Sequence, residues 1–356
     1  MYNAFTRYKC LFFYRFAYIT YEMFRILIVI LCCCLFGSAQ AQDPHFSQFF
    51  ASPLTLNPAL TGKFSGTYRI TGNYRNQWPT INNAYVTNAF SADFHILQNK
   101  IPNNDTWGFG MSGYNDKSAN GAVSYNFASL STAYHKGLDE DGYHQIGAGF
   151  QVSYANMLIN TSMLNFEDQL TANGFTGLTS ETFNGATLAS KYVDINAGFM
   201  YNGSTSDKNN FYLGVSMYHI NRPKQNFNGG QYILSPRTTI HGGGYFPVSP
   251  HATLHMSALL MTQGGASETM LGGALQLIAN PEVEKPVSIY AGSWLRLNDA
   301  FIPYLGLEFN DLRIGVSYDL NTSALKTASL NRGGIEISMI YIRRPSTDRP
   351  INCPKF

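Results

Sequence analysis

Charge is scarce in this sequence of 356 residues: Asp, Glu, Lys and Arg together make up 13%, against roughly 25% in ordinary soluble domains. Cysteine is scarcer still where it would count. Four of the five cysteines, Cys10, Cys32, Cys33 and Cys34, sit near the N-terminus and only Cys353 lies beyond them. If the N-terminal segment is removed, no intramolecular disulfide and no cysteine-based metal site can form. A long apolar run is missing too. The stretch Ile26 to Phe36 falls short of the roughly 20 residues a helix needs to cross a bilayer, so this run does not span one as a helix.

That short run has another reading. Arg25 precedes it and Ala39-Gln40-Ala41 follows with small residues. This is the layout of a secretory signal, residues 1–41, cleaved before Gln42. Met23 by itself would start a well-proportioned signal, leaving 1–22 upstream of it. A lipoprotein reading of Cys32–Cys34 is weaker, because no small residue directly precedes Cys32. Of 24 basic and 22 acidic side chains, four (Arg7, Lys9, Arg15, Arg25) and one (Glu22) leave with the signal. The mature balance of 20 to 21 offers no electrostatic footprint for nucleic acid.

Aromatics are abundant, with 25 Phe and 23 Tyr, and Gly numbers 32. They arrive in short stretches of period two. Tyr68, Ile70, Gly72 and Tyr74 alternate with Arg69, Thr71, Asn73 and Arg75; Ile146, Ala148, Phe150 and Val152 alternate with Gln145, Gly147, Gly149 and Gln151. Val193, Ile195, Ala197 and Phe199 alternate with Asp194, Asn196 and Gly198, and Leu312, Ile314 and Val316 alternate with Arg313, Gly315 and Ser317. In a strand these sets point to opposite faces. A Tyr-rich soluble β-sandwich would turn the apolar set inward. Low charge and a signal favour the other arrangement, an all-β transmembrane barrel of the outer membrane with the apolar set in lipid.

About fourteen antiparallel strands are predicted, near 66–76, 85–96, 107–115, 122–135, 143–155, 191–202, 210–220, 237–246, 251–262, 268–278, 286–296, 300–309, 312–319 and 334–342. If the chain starts in the periplasm, the longest gaps, 77–84, 156–190, 221–236 and 320–333, all face outside, the asymmetry such barrels show. The barrel is then 66–342, preceded by a plug or cap at 42–65 and followed by a periplasmic tail at 343–356. The lead-in is apolar (Phe46, Phe49, Phe50, Leu54, Leu56, Leu60), and Pro53 and Pro58 forbid a long helix in it. It could pack in the periplasmic half of the barrel or cap it from outside.

Chemical motifs are few. Gly108 to Gly113 matches G-x-G-x-x-G, yet lies inside an alternating aromatic stretch and not at the turn opening a helix. Ser323-Ala-Leu-Lys326 matches S-x-x-K without its companion motifs. His251 and His255 share a strand face about 13 Å apart at roughly 3.4 Å per residue, too far for one ion, and with Thr253 should line a polar interior. The other inward charges, Arg69, Arg75, Asp93, Asp194, Arg296, Arg313, Asp319 and Glu336, should pair, since isolated buried charge is costly. No acid–base or nucleophile pair emerges, so neither an enzyme nor a cofactor is expected.

The lead-in Gln42-Asp-Pro-His-Phe-Ser-Gln-Phe-Phe-Ala-Ser-Pro-Leu-Thr-Leu-Asn-Pro-Ala-Leu-Thr-Gly62 resembles the start of mature PorP/SprF proteins, outer-membrane components associated with the Bacteroidota type IX secretion system. Further similar stretches are Tyr74–Trp78, Asn165–Gln169, Tyr192–Gly198, Gly214–His219 with Arg222-Pro223, Trp294–Asp299, Ile314–Asp319, Gly334–Ser338 and Cys353–Phe356. They cover nearly the whole mature chain. Within the lead-in, His45, Phe46, Ser47, Gln48, Asn57, Pro58 and Gly62 form the plug motif. The resemblance implies work in type IX secretion or gliding motility. Some members look like partners of a periplasmic ring lipoprotein. Others look paired with one surface adhesin, whose C-terminal domain they help export or retain. The residues expected to meet partners are Phe166, Phe175, Phe183 and Phe227 on the outer loops and Arg343 and Arg344 on the inner tail. The competing reading is a transporter of hydrophobic small molecules, since Asn57-Pro58-Ala59 also resembles the hatch of fatty-acid-type channels. Such a transporter needs an apolar lumen pocket with a few polar anchors.

Overall fold

The alternation of side chains builds the wall. In the computed structural model, which describes residues 43–344 apart from 82–83, 99, 207–208 and 280–286, fourteen strands form one closed antiparallel barrel. They are β1 (Tyr68–Gln77), β2 (Tyr85–His95), β3 (Thr106–Ser118), β4 (Val123–Gly137), β5 (His144–Asn160), β6 (Thr187–Gly203), β7 (Asn210–Tyr218), β8 (Arg237–Ser249), β9 (Ala252–Gln263), β10 (Ala266–Ala279), β11 (Val287–Arg296), β12 (Ala300–Phe309), β13 (Leu312–Asn321) and β14 (Arg332–Arg343). Each pairs with its neighbours in the chain, and β1 closes the ring on β14 from Tyr68 opposite Arg343 to Gln77 opposite Gly334. Closure leaves no strand edge in the wall, which is why such a sheet can stand in hydrocarbon.

The faces are inverted relative to a soluble barrel. Phe90, Leu130, Phe150, Val152, Phe199, Leu213 and Leu305 are exposed, whereas Arg69, Thr71, Arg75, Gln151, Asp194 and Arg313 are buried inside. The soluble-sandwich alternative fails on this orientation. Val152 sits mid-wall, opposite Leu130 and Ile195. Val152→Arg is expected to cost about 2–4 kcal/mol, read as a lowered urea midpoint for unfolding from lipid vesicles; a wild-type midpoint would contradict a lipid-facing Val152.

All fourteen predicted strands are present, with shifted ends. β5 and β6 extend further than the alternation suggested, so their connection narrows to 161–186. Strand β8 runs on to Ser249 through a register shift between Pro247 and Ser249. His251 therefore lies in a tight turn, exposed, and not in the lumen with Thr253 and His255, which are buried. Arg343 ends β14 instead of opening a tail: its carbonyl accepts the Thr67 amide at 2.8 Å, continuing the β1 ladder. The long connections 161–186, 219–236 and 322–331 gather at one mouth, the loop mouth. The opposite mouth has mostly short turns, although 96–105 is longer than 78–84 at the loop mouth. The signal at 1–41, Gln42, Cys353 and most of the tail, including Arg349 and Lys355, lie outside the described residues.

Candidate functional site

Two prolines break the lead-in into short turns. Residues Phe49–Ala51, Pro53–Leu56 and Pro58–Leu60 each make a single helical turn, with Pro53 and Pro58 at first helical positions, where their missing N–H costs nothing. Such a chain has many backbone groups without local partners, and the lumen supplies them. Glu336 of β14 accepts the amides of Ser47 and Gln48 at 2.7 and 2.9 Å. Arg75 donates to the His45 carbonyl at 2.8 Å. Gln151 and Tyr218 both donate to the Leu54 carbonyl, and Ser216 to that of Leu56. Asn57 accepts the Ala59 amide and donates across to the carbonyls of Phe199 and Val215. Asp93 accepts the Gly62 amide at 2.7 Å, and Lys63 reaches Gln145.

These partners trace a path. Asp43 lies at the loop mouth beside the ends of β7, β8 and β9, and Gly66 lies at the other mouth against Arg343. The lead-in is thus a strap through the whole lumen, not a cap outside the wall and not confined to one half. The wall makes room for it with glycine. A side chain at Gly149 would collide with the backbone of Pro58 and Ala59, and one at Gly108 with the backbone of Thr61 and Gly62. Phe50 packs on Trp294 and Tyr304, with ring centroids 4.9 and 5.5 Å away.

The inward charges pair with each other or with the strap. Arg69 meets Asp93 at 2.8 Å and Arg313 meets Glu308 at 2.7 Å. Asp319 is shared by Arg75 at 3.1 Å and Arg296 at 2.9 Å, and accepts from the Ser47 hydroxyl. His45 stands 2.9 Å from Glu268.

At the loop mouth Asp43 is held by His219 at 2.7 Å, Arg237 at 3.2 Å and the Gln263 amide. His219 reaches Asp194 through its other ring nitrogen at 2.9 Å. Burial by itself would raise the Asp43 carboxyl, but the charges of His219 and Arg237 hold it well below the usual carboxylate range. Burial would lower His219, and Asp43 with Asp194 overrides it, raising the ring from 6.5 to about 9. The stabilisation from a raised histidine is complete below about 6.5, where the unfolded group is also charged, and is lost as pH rises through about 9. Opening of the 43–50 end, read by hydrogen exchange, should increase about tenfold per pH unit between those limits. His219→Gln should flatten the dependence; a flat wild-type profile would refute the latch. Asp43, lowered, contributes above about 3.8 and does not titrate in this window.

The expected partner-binding residues divide. Phe166 and Phe183 meet across the 161–186 loop, centroids 5.5 Å apart. Phe227 lies half-buried in a second loop hairpin, and Phe175 stands exposed away from the pair. The two loops are tied where Asn228 accepts the Asn184 amide and donates to the Thr182 carbonyl. Arg343 and Arg344 lie at the other mouth, near Asp311 at 3.5 Å and Glu308 at 3.3 Å. Sequence reading by phenylalanines alone missed Leu178, 96% exposed, and Leu170, Tyr232 and Ile233. Their signal was available: large apolar residues in stretches too polar to be wall. The latch of Asp43, His219, Arg237 and Gln263 had no local signal.

Among solved structures, the chain is similar to the toluene transporter TbuX of Ralstonia pickettii (10% identity, covering 83% of this chain and 93% of that one, TM-score 0.50). It is also similar to a FadL homologue of Pseudomonas aeruginosa (9% identity, 80% and 92% covered, TM-score 0.42). The first likeness shows the fold of an outer-membrane barrel. No curated protein sequence matches. Residues 38–341 match the type IX secretion system membrane protein PorP/SprF, and the chain belongs to that family.

Proposed function

We propose that this type IX secretion component works as a two-sided adaptor in the outer membrane: the loop mouth, facing outside, holds the C-terminal domain of a secreted adhesin or similar cargo, and the turn mouth docks the periplasmic ring lipoprotein. The observation that carries the reading is large apolar surface on the loops beyond the lipid-facing wall, with Leu170, Phe175, Leu178, Tyr232 and Ile233 all exposed. Lipid cannot cover side chains there, and contiguous apolar surface in water marks interaction sites. At the turn mouth, Arg343 and Arg344 offer half-exposed guanidinium groups beside a buried Asp311 and a half-buried Glu308. The strap supports a structural lumen and not an open conduit, so partner binding falls to the two ends.

Replacing residues 163–180 by a short Gly-Ser turn tests this, since it removes Leu170, Phe175 and Leu178 and keeps the tie of Thr182 and Asn184 to Asn228. The wall ends at Asn160 and resumes at Thr187, so the barrel should remain folded and heat-modifiable on gels. Surface display of the cargo should drop tenfold or more. Normal display from that variant would remove the 161–186 loop as the binding site.

One observation favours a second reading. Beside Phe50 the lumen keeps a cavity with room for about one water molecule, lined by Tyr212, Tyr290, Trp294 and Tyr304, with His255 and Arg313 as polar anchors. Its lining, once Phe50 and the strap move aside, is of the kind a fatty-acid-channel-like transporter of hydrophobic small molecules needs. Uptake of a labelled hydrophobic compound by proteoliposomes, abolished by Ala274→Phe, would support it; equal uptake by empty vesicles would end it.

A further inference from the structure

The connection between β7 and β8 contains a hairpin dictated by its own sequence. Lys224–Phe227 and Gly230–Ile233 pair antiparallel, Phe227 opposite Gly230. Asn228 and Gly229 between them both take positive φ, 46° and 84°. Asn-Gly with two left-handed residues is the turn whose twist matches that of the flanking strands, so the hairpin is locally stiff. It forms a two-stranded sheet of its own.

One of its edges is used, and the other has no partner strand among the described residues. The Leu234 amide donates to the Pro223 carbonyl at 3.0 Å, making 223 and 234 a hydrogen-bonded pair. In an antiparallel ladder such pairs alternate, so residues 224, 226, 231 and 233 turn their backbone groups away from the hairpin. On the first strand the Asn226 amide accordingly reaches outward to the Ser190 hydroxyl of β6 at 3.0 Å. On the second strand, Gln231 and Ile233 point into solvent, and among the described residues Gly230–Ile233 has no second neighbour strand. Tyr232 and Ile233 are 62% and 61% exposed on it. Exposed edges of this kind are ordinarily blunted by charge, proline or a covering loop. Here the segment 219–236 carries Arg222 and Lys224 and no acidic residue, with Lys191 of β6 nearby, all three exposed.

We infer that Gly230–Ile233 accepts an extended, acid-bearing segment of the secreted partner as an added β-strand. Main-chain bonds to Gln231 and Ile233 hold the segment, Tyr232 and Ile233 cover its apolar side chains, and Arg222 and Lys224 face its carboxylates. The partner's identity as a secreted chain rests on the function proposed above; the edge itself does not.

The test uses the full barrel in nanodiscs and a fluorescent peptide of alternating valine and glutamate. Saturable binding is expected, at least tenfold weaker when lysine replaces glutamate, and at least tenfold weaker to Ile233→Pro, which removes one outward amide. Because proline could disturb the hairpin, the peptide supplies an independent measurement. N-methylation of one alternate set of its amides should abolish binding, and methylation of the other set should not, since only one set faces the edge. No saturable binding by wild type, indifference to both methylation patterns, or a barrel that dimerises through this edge and excludes the peptide would each overturn the inference. Trimming 163–180 tests the 161–186 loop as the cargo's seat and keeps Thr182 and Asn184, which tie the hairpin's turn at Asn228, so either idea can fail alone.

Discussion

Arg296→Met is expected to destabilise the folded barrel by about 3–5 kcal/mol. Its guanidinium is buried and contacts Asp319, Asp299 and the Ser47 hydroxyl of the strap at 2.6–2.9 Å, with Glu268 at 3.8 Å. Methionine fills much of the same space and supplies no donor. Asp319 then keeps Arg75 and the Ser47 hydroxyl, while Glu268 keeps His45. The cost comes from carboxylates left in a site chosen for ion pairs, more than from lost attraction. Urea unfolding from vesicles reads it. Asp319→Asn in the same background should recover part of the loss, because it removes the stranded charge. A single variant within about 0.5 kcal/mol of wild type would mean that water reaches this network and screens it.

Gly149→Leu is expected to unseat the strap and open the pore. The added side chain points into the lumen, where the backbone of Pro58 and Ala59 lies in contact. Backbone cannot yield by a rotamer change, so the strap must lift away, and with it the bonds from Asn57 to Phe199 and Val215. The wall should survive, since leucine is tolerated in a strand and the ladder to β4 and β6 uses main chain alone. In planar bilayers the variant should pass ions at several times the wild-type level, and residues 54–62 should become sensitive to protease. Gly72→Ala is the control: its new methyl faces outward, nearest the flexible end of Met339 at 3.8 Å, and conductance should stay at the wild-type level. A closed, protease-resistant Gly149→Leu barrel would show that the lumen has slack that the packing does not suggest.

The wall was legible because strand alternation is local. Each run such as Gln145–Tyr154 carries its own two faces, and low overall charge with a signal-like leader said which face meets lipid. The number of strands followed, and so did the pairing of the inward charges in kind, since a low-dielectric lumen tolerates little else. The ends of strands were less legible: β8 passes through Pro247 and a register shift, and periodicity lapses there. His251 was misplaced for that reason.

The family was also in the sequence, spread over short motifs from the lead-in to β14. What those motifs do to one another was not. Ser47 meets Glu336 and Asp319, and Asp43 meets His219, Arg237 and Gln263, pairs separated by well over a hundred residues of chain. Such contacts exist only once β1 has closed on β14 and the lumen is a defined volume, because until then no two of these side chains share a surface. The residues alone therefore determined a lipid-facing wall with an apolar, proline-broken lead-in. Closure of the ring decided that the lead-in threads the lumen from mouth to mouth, and that its first residues are latched by His219 and Arg237, which flank the loop bearing the hairpin.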